Sequence, residues 1–208
     1  MSALNITNAT GGSSISLNGS SLAVKELFYY SLNNILFQRG ILPQDTFERK
    51  EAFGIAVMHT TDPKLKDYMK KLSKQIQRWL INKELRKLVV AIVEVDTKVT
   101  IEKWDFEIRL DPSLTENLAN SSVTIDDKKI ALEMGSTLRQ ITSCVSFLPI
   151  IQKKCSFDVI AHTGDALAPD SEWEVTRERS MIEPTEVKLR TSSTGIHNVG
   201  AKVQYQLR

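Results

Sequence analysis

The chain has 208 residues, 41% of them apolar and 25% charged, with 27 Lys and Arg set against 25 Asp and Glu. That length favours one domain with a sizeable buried core, and a net charge of +2 supplies no field for non-specific nucleic-acid binding. No apolar run is long enough to span a membrane, and the N-terminus lacks the apolar stretch of a signal peptide. Cys144 and Cys155, in apolar surroundings, therefore read as free, buried thiols in a reducing compartment.

Residues Met1 to about Asn18 are polar and contain Gly11-Gly12, which reads as a flexible tail, with Ile15 and Leu17 able to tuck against the core. Asn-x-Ser/Thr triplets begin at Asn5, Asn8, Asn18 and Asn120 and would matter only in a secreted protein. The spacing of Val24, Leu27, Phe28, Leu32, Ile35 and Leu36 predicts a helix over Ser20–Arg39, capped by Ser20 or Ser21 and ended by Gly40 and Pro43. Phe53–His59 is a short extended segment. Asp62-Pro63 then opens a second helix, with Leu65, Tyr68, Met69, Leu72, Ile76, Trp79 and Leu80 on one stripe and Lys64, Lys71, Lys74 and Arg78 on a solvated face.

Leu88–Val95 is a valine-rich run expected to be a strand buried on both faces. After a turn at Asp96-Thr97-Lys98, Trp104, Phe106, Ile108 and Leu110 alternate with Asp105, Glu107 and Arg109, the mark of a half-buried antiparallel strand. Asp111-Pro112 breaks it. A third helix is expected from Thr124 to about Phe147, capped by Thr124 with Asp126 and Asp127 near the positive end of its dipole. Cys155–Ala161 is a further strand. The remainder has no helical period and alternates over Val187–Thr191 and Val199–Leu207. Helices and antiparallel strands in this order make an α+β layer fold.

The chemistry of catalysis is sparse. His59, His162 and His197 are far apart, no paired-cysteine or His-Glu-x-x-His spacing is present, and there is no phosphate loop or nucleophile elbow. His162 and Asp165 flank a turn at Gly164. Cys155 and His162 are the candidate nucleophile and base, but Cys155 heads a strand whose alternate residues are apolar, which favours packing. A scattered enzyme site around Cys155, His162 and Asp165 is the rival to a binding protein.

The third helix carries the stronger signal. Ile130, Met134, Leu138, Ile141, Val145 and Leu148 form its core stripe, and Ser136, Arg139, Gln140, Ser143 and Phe147 lie opposite. An aromatic and an arginine among small residues suit an interface centre; the alternative is that Phe147 folds under a loop. At the C-terminus, Val199, Ala201, Val203, Tyr205 and Leu207 alternate with polar residues, so this strand is either the last of a fixed sheet or a movable edge.

The segments Leu27–Pro43, Leu72–Leu80 ending in Trp79, Arg139–Pro149, Cys155–Ile160, Val187–Arg190 and Gly195-Ile196-His197, in that order, resemble the HORMA-domain family in its spindle-assembly-checkpoint branch, over about Ser16 to Leu207. The resemblance implies an α+β fold with three helices on a mainly antiparallel sheet. It divides the chain into a tail over 1–15, a domain over 16–208 and a mobile C-terminal safety belt over 163–208.

It also implies an adaptor without enzymatic activity or cofactor that switches between open and closed conformers. The closed form traps a motif of Mad-one or of the Cdc-twenty activator of the anaphase-promoting complex, joins the mitotic checkpoint complex, and is remodelled by the comet partner and an AAA+ ATPase. Expected locations are nucleus, kinetochore, cytoplasm and spindle. By position, Ser156, Phe157, Asp158, Val159, Ile160 and Ala161 are the peptide-binding edge near Trp79, and Val199, Val203 and Tyr205 belong to the belt. Arg39, Arg139, Gln140, Phe147 and Arg190 match the surface used for pairing of open with closed copies and for comet, and Leu17 matches a residue that sets conformer balance. Ala201 stands where the family has a phosphorylated serine. A meiotic-axis or translesion-polymerase adaptor is the rival within the same fold.

Overall fold

The computed structural model describes residues 14–112, 123–124, 126–164 and 173–206. Helix α1 spans Leu17–Gln38 and starts earlier than the periodicity suggests, because Ser16 Oγ accepts from the Gly19 N–H at 3.2 Å and caps it. Ser20 and Ser21 lie inside the helix and are buried. Ser14 and Ile15, expected in the tail, are part of the fold: Ser14–Ile15 (β1) pairs with Val123–Thr124 (β6), and Ile15 is buried. Residues 1–13 lie outside the described chain. Gly40, at φ +62°, ends the helix in the left-handed region.

Helix α1 runs through the centre of the protein and buries polar groups that find partners. The Ser21 and Ser31 hydroxyls donate to carbonyls one turn back, at 2.8 and 2.7 Å. Asn33 Oδ1 accepts from the Thr60 N–H at 2.9 Å and Asn34 Oδ1 from the Met58 N–H at 3.3 Å. Those two bonds dock a hairpin of β2 (Phe47–Ala52) and β3 (Ile55–Thr60), turned at Phe53-Gly54, both with positive φ. The first strand was not legible because Glu48, Arg49, Lys50 and Glu51 are all exposed. The hairpin leans on Gly135, where a Cβ would sit 2.6 Å from the Phe53 carbonyl oxygen.

Helix α2 (Pro63–Ile81) is capped by Asp62, whose carboxylate accepts from the Leu65 N–H at 2.7 Å. Its stripe is buried as expected except for Tyr68, which is only partly covered, at 40% exposure. Helix α3 (Asp127–Ser143) begins after Asp126, which caps it in place of Thr124. Its last turn tightens into a 3-10 turn over Cys144–Ser146. The tighter winding shifts the phase, so Cys144 enters the core and Val145, expected there, is 45% exposed.

The main sheet is antiparallel, in the order β7 (Cys155–Thr163), β4 (Leu85–Glu94), β5 (Thr100–Leu110), β10 (His197–Tyr205), β8 (Thr185–Lys188), with β9 (Ser192–Ser193) also on β10. Leu88 faces Phe106 across the β4–β5 ladder, and Ala201 faces Phe106 from β10. Leu88, Val90, Ile92, Trp104, Phe106, Ile108, Val199, Ala201 and Val203 therefore build one face into the core with the helices. Phe28 meets Phe106 edge to face at 5.4 Å.

The opposite face departs from the half-exposed expectation. Lys103 and Asp105 on β5 are 8% and 2% exposed, and Val89, Ala91 and Ile160 are buried there outside the helix-side cluster. Residues 173–184, which form neither helix nor strand, supply the cover.

Candidate functional site

The sheet has two unlike ends. Strand β7 pairs with β4 from Leu85↔Thr163 to Glu94↔Cys155. Among the described residues no strand lies on its other side. Its outward main-chain N–H and C=O groups can take an added strand. Phe157, Val159 and Ala161 lean toward the helices and pack against the core margin. The Phe157 ring meets Tyr68 of α2 edge to face at 5.9 Å. Burial, and then the charge of Asp158, push the Tyr68 phenol up to about 12. On the other face, Ser156 is exposed, Asp158 half-buried and Ile160 buried.

The segment that covers this face is fastened by side chains. Trp173 packs on Trp79 of α2 at 4.7 Å between ring centroids. Arg179 Nη2 donates to Asp158 Oδ2 at 2.6 Å, and Lys87 Nζ donates to Glu178 Oε1 at 3.0 Å, with Lys103 Nζ 3.8 Å away. The hydrogen bond from Lys87 holds the Glu178 carboxyl below its usual range. Burial raises Asp105, an effect opposed by the charges of Lys103, Lys87 and Lys202. Burial likewise lowers His162, whose Nε2 has no hydrogen-bond partner among the described residues. Trp173, Glu178 and Arg179 went unnoticed in the sequence; the one available signal was a tryptophan alone in a polar stretch.

At the other end of the sheet, β10 lies against β5 with Val199 opposite Ile108 and Val203 opposite Trp104. Val199, Val203 and Tyr205 are thus buried core residues separated from β7 by the two strands β4 and β5; they belong to the C-terminal hairpin and do not line the β7 edge. The hairpin is joined to α3 by polar contacts. The Arg190 N–H donates to Gln140 Oε1 at 2.6 Å, the Thr137 and Ser192 hydroxyls are hydrogen-bonded, and Ser192 Oγ donates to the Glu133 carbonyl at 3.1 Å. His197 is held against α1 by Ser20 Oγ, 2.6 Å from Nδ1, and burial pushes its imidazole down to about 4. Leu17, the first residue of α1, is half-buried against the core.

Arg139 is exposed on α3, and Phe147 is 45% exposed with its ring 6.4 Å from that of Tyr205. Together with Gln140 and Arg190 they form one surface, built jointly by α3 and the C-terminal hairpin. Arg39 does not line that surface. It is 8% exposed, pairs with Glu102 at 2.8 Å, and donates to the Pro149 carbonyl at 2.5 Å, so it braces the Phe147 turn from inside. Burial, opposed by Arg39, raises the Glu102 carboxyl.

The proposed Cys155–His162 pair does not form. The two residues lie seven apart on one extended strand, roughly 23 Å, and Cys155 is only half-buried, its thiol donating to the Lys153 carbonyl. Asp165 lies outside the described residues. Among the described residues no His, Cys, Asp and Glu cluster is fit to hold a metal, and no helix is long and apolar enough to cross a membrane.

The HORMA domain family matches residues 20–197. The chain belongs to the HORMA-domain family. Within it, the chain is similar to the mitotic spindle assembly checkpoint protein MAD2A of Dictyostelium discoideum, at 36% identity over 193 residues, 93% of this chain and 94% of that protein. It is 35% identical over 196 residues to the mitotic spindle checkpoint component MAD2 of Saccharomyces cerevisiae, 93% of this chain and 98% of that protein. Of solved structures, a chain of the mitotic checkpoint complex superposes with a TM-score of 0.82 at 28% identity, covering 91% of this chain and 99% of that one. Caenorhabditis elegans HTP-2, solved with a HIM-3 closure motif, shares the HORMA fold at a TM-score of 0.73 and 14% identity, covering 93% of each chain. This HORMA protein is therefore a spindle-assembly-checkpoint protein, an adaptor that works by binding and not by catalysis.

Proposed function

We propose that this HORMA protein traps a short peptide, from Mad-one or from the Cdc-twenty activator of the anaphase-promoting complex, along the outer edge of β7 and beneath the segment that ends at β8. The observation that carries the reading is the strand order: the C-terminal hairpin occupies the β5 side of the sheet, and the β7 edge has no strand on it among the described residues. On this reading the arrangement is that of the closed conformer. In the open conformer the hairpin would lie on the β7 edge and exclude the peptide. Because β10 makes a nine-residue ladder with β5, exchange requires unpairing that ladder and is slow. Trapping the activator restrains the ubiquitin ligase.

The surface of Arg139, Gln140, Phe147 and Arg190 serves a different partner: an open copy of the same chain, or comet acting with the AAA+ remodeller. Since Arg190 comes from the hairpin and Arg139 from α3, the surface is complete only when the hairpin is in this position, which lets a partner read the conformer. Leu17, at the start of α1, biases the exchange. The protein acts at kinetochore, spindle, nucleus and cytoplasm.

A labelled Mad-one motif peptide should bind one per chain and leave slowly, and the bound form should elute separately on anion exchange. Absence of binding overturns the reading. The Arg139→Ala variant should lose self-association and retain the peptide; a variant that still dimerises removes the second surface.

A further inference from the structure

Residues 173–184 lie on the sheet without forming any strand or helix, so backbone ladders do not hold them. Apolar adhesion does not fasten the middle of the segment either, since Val175 and Ile182 are 85% and 82% exposed. Its attachments are Trp173 on Trp79 at one end, a bond from Gln206 Nε2 to the Ile182 carbonyl at the other, and two consecutive charges between them.

The geometry points to Glu178 and Arg179 as a charged clasp that keeps this segment closed and sets how fast a bound peptide is released, an inference that rests on the peptide-trapping role of the β7 edge. Beneath the segment, the Lys103 and Lys202 ammonium groups lie 3.9 and 3.8 Å from Asp105 Oδ2, and Lys87 approaches from β4. Three cations thus face one buried carboxylate, and Glu186 Oε2 accepts from Lys202 and from Gln204, each at 2.9 Å. Glu178 brings the missing negative charge, 3.0 Å from Lys87 and 3.8 Å from Lys103.

Lys103 has a side chain only 10% exposed. Lifting the segment away takes Glu178 from Lys87 and Lys103 together, so two ion-pair contacts are exchanged for hydration. Arg179 does the complementary work: its guanidinium reaches Asp158 at 2.6 Å, on the very strand whose edge takes the peptide. Opposite charges at adjacent positions find opposite partners on adjacent strands, so the pair also fixes the register in which the segment lies.

The test compares wild type, Arg179→Glu, and the swap Arg179→Glu with Asp158→Arg. The first readout needs no ligand: the rate of trypsin cleavage after Arg177, followed by mass spectrometry. The single variant should be cut about three- to tenfold faster, the scale of one ion pair lost and one repulsion gained, and the swap, with the same local sequence on the segment, should return to the wild-type rate. The second readout is release of a labelled Mad-one motif peptide into excess unlabelled peptide, which should speed up in the single variant, whose β7 edge is unchanged. Unchanged cleavage in the single variant, or acceleration that the swap fails to reverse, overturns the clasp. Wild type that binds no peptide overturns the trapping role, while the cleavage readout still decides the clasp.

Discussion

The two faces of the sheet are both covered, but by different physics. On the helix face, Trp104, Phe106, Leu88 and Ile92 are fully buried against α1 and its neighbours, and area, packing and a folded backbone act together. On the other face the cover is a single strand-free segment, and the layer beneath it is made of Lys103, Asp105, Lys87 and Lys202 as much as of Val89 and Ile160. The first cover cannot leave without unfolding the domain. The second makes no backbone ladder with the sheet. The peptide trapping proposed above would use one face of each kind.

Four measurements bear on that contrast. Trp104→Ala should cost about 3–5 kcal/mol in a denaturant titration, as for other large buried aromatics. Arg39→Ala should cost about 3–5 kcal/mol, because it removes the cation from buried Glu102 and leaves only the Trp104 indole N–H bonded to that carboxyl among the described residues. Its deficit should shrink as pH is lowered. Burial already raises the folded-state Glu102 carboxyl, so its contribution is present below the ordinary carboxylate range and is lost as pH rises through the folded value.

His197 should act in the opposite direction. Its imidazole is pushed down to about 4 by burial, so stability held above its ordinary value near 6.5 is lost as pH falls toward 4, on the order of 3 kcal/mol in all. His197→Gln should flatten the urea midpoint over that window. Trp173→Ala should cost only about 1 kcal/mol of global stability while speeding peptide release. A Trp173 variant as unstable as the Trp104 variant would erase the distinction between the two covers.

The permanent face was legible in the sequence and the removable one was not. Period-2 alternation in β5 and the valine run of β4 announce themselves because each residue's burial is decided by its own strand. Helix α2 was readable from Asp62-Pro63 and its stripe. Asp105 departs from the half-exposed expectation because distant residues bury it, and no local pattern marks residues 173–184 as a cover. Arg39 was assigned to a surface; its burial follows from Glu102, 63 positions away, a partner no spacing rule finds. Val145 failed for a local reason, a change of helical winding that periodicity assumes away.

Gly135 has a consequence for genetics. The Phe53 carbonyl stands where a side chain would begin, and Asn33 and Asn34 hold that hairpin from the other side, so neither neighbour has room to retreat. A Cβ at position 135 therefore requires the hairpin backbone to shift. A Gly135→Ala allele would be expected to behave as a conditional one, keeping checkpoint function in the cold and losing it in the warm, and would offer a way to withdraw the protein from a living cell by temperature alone.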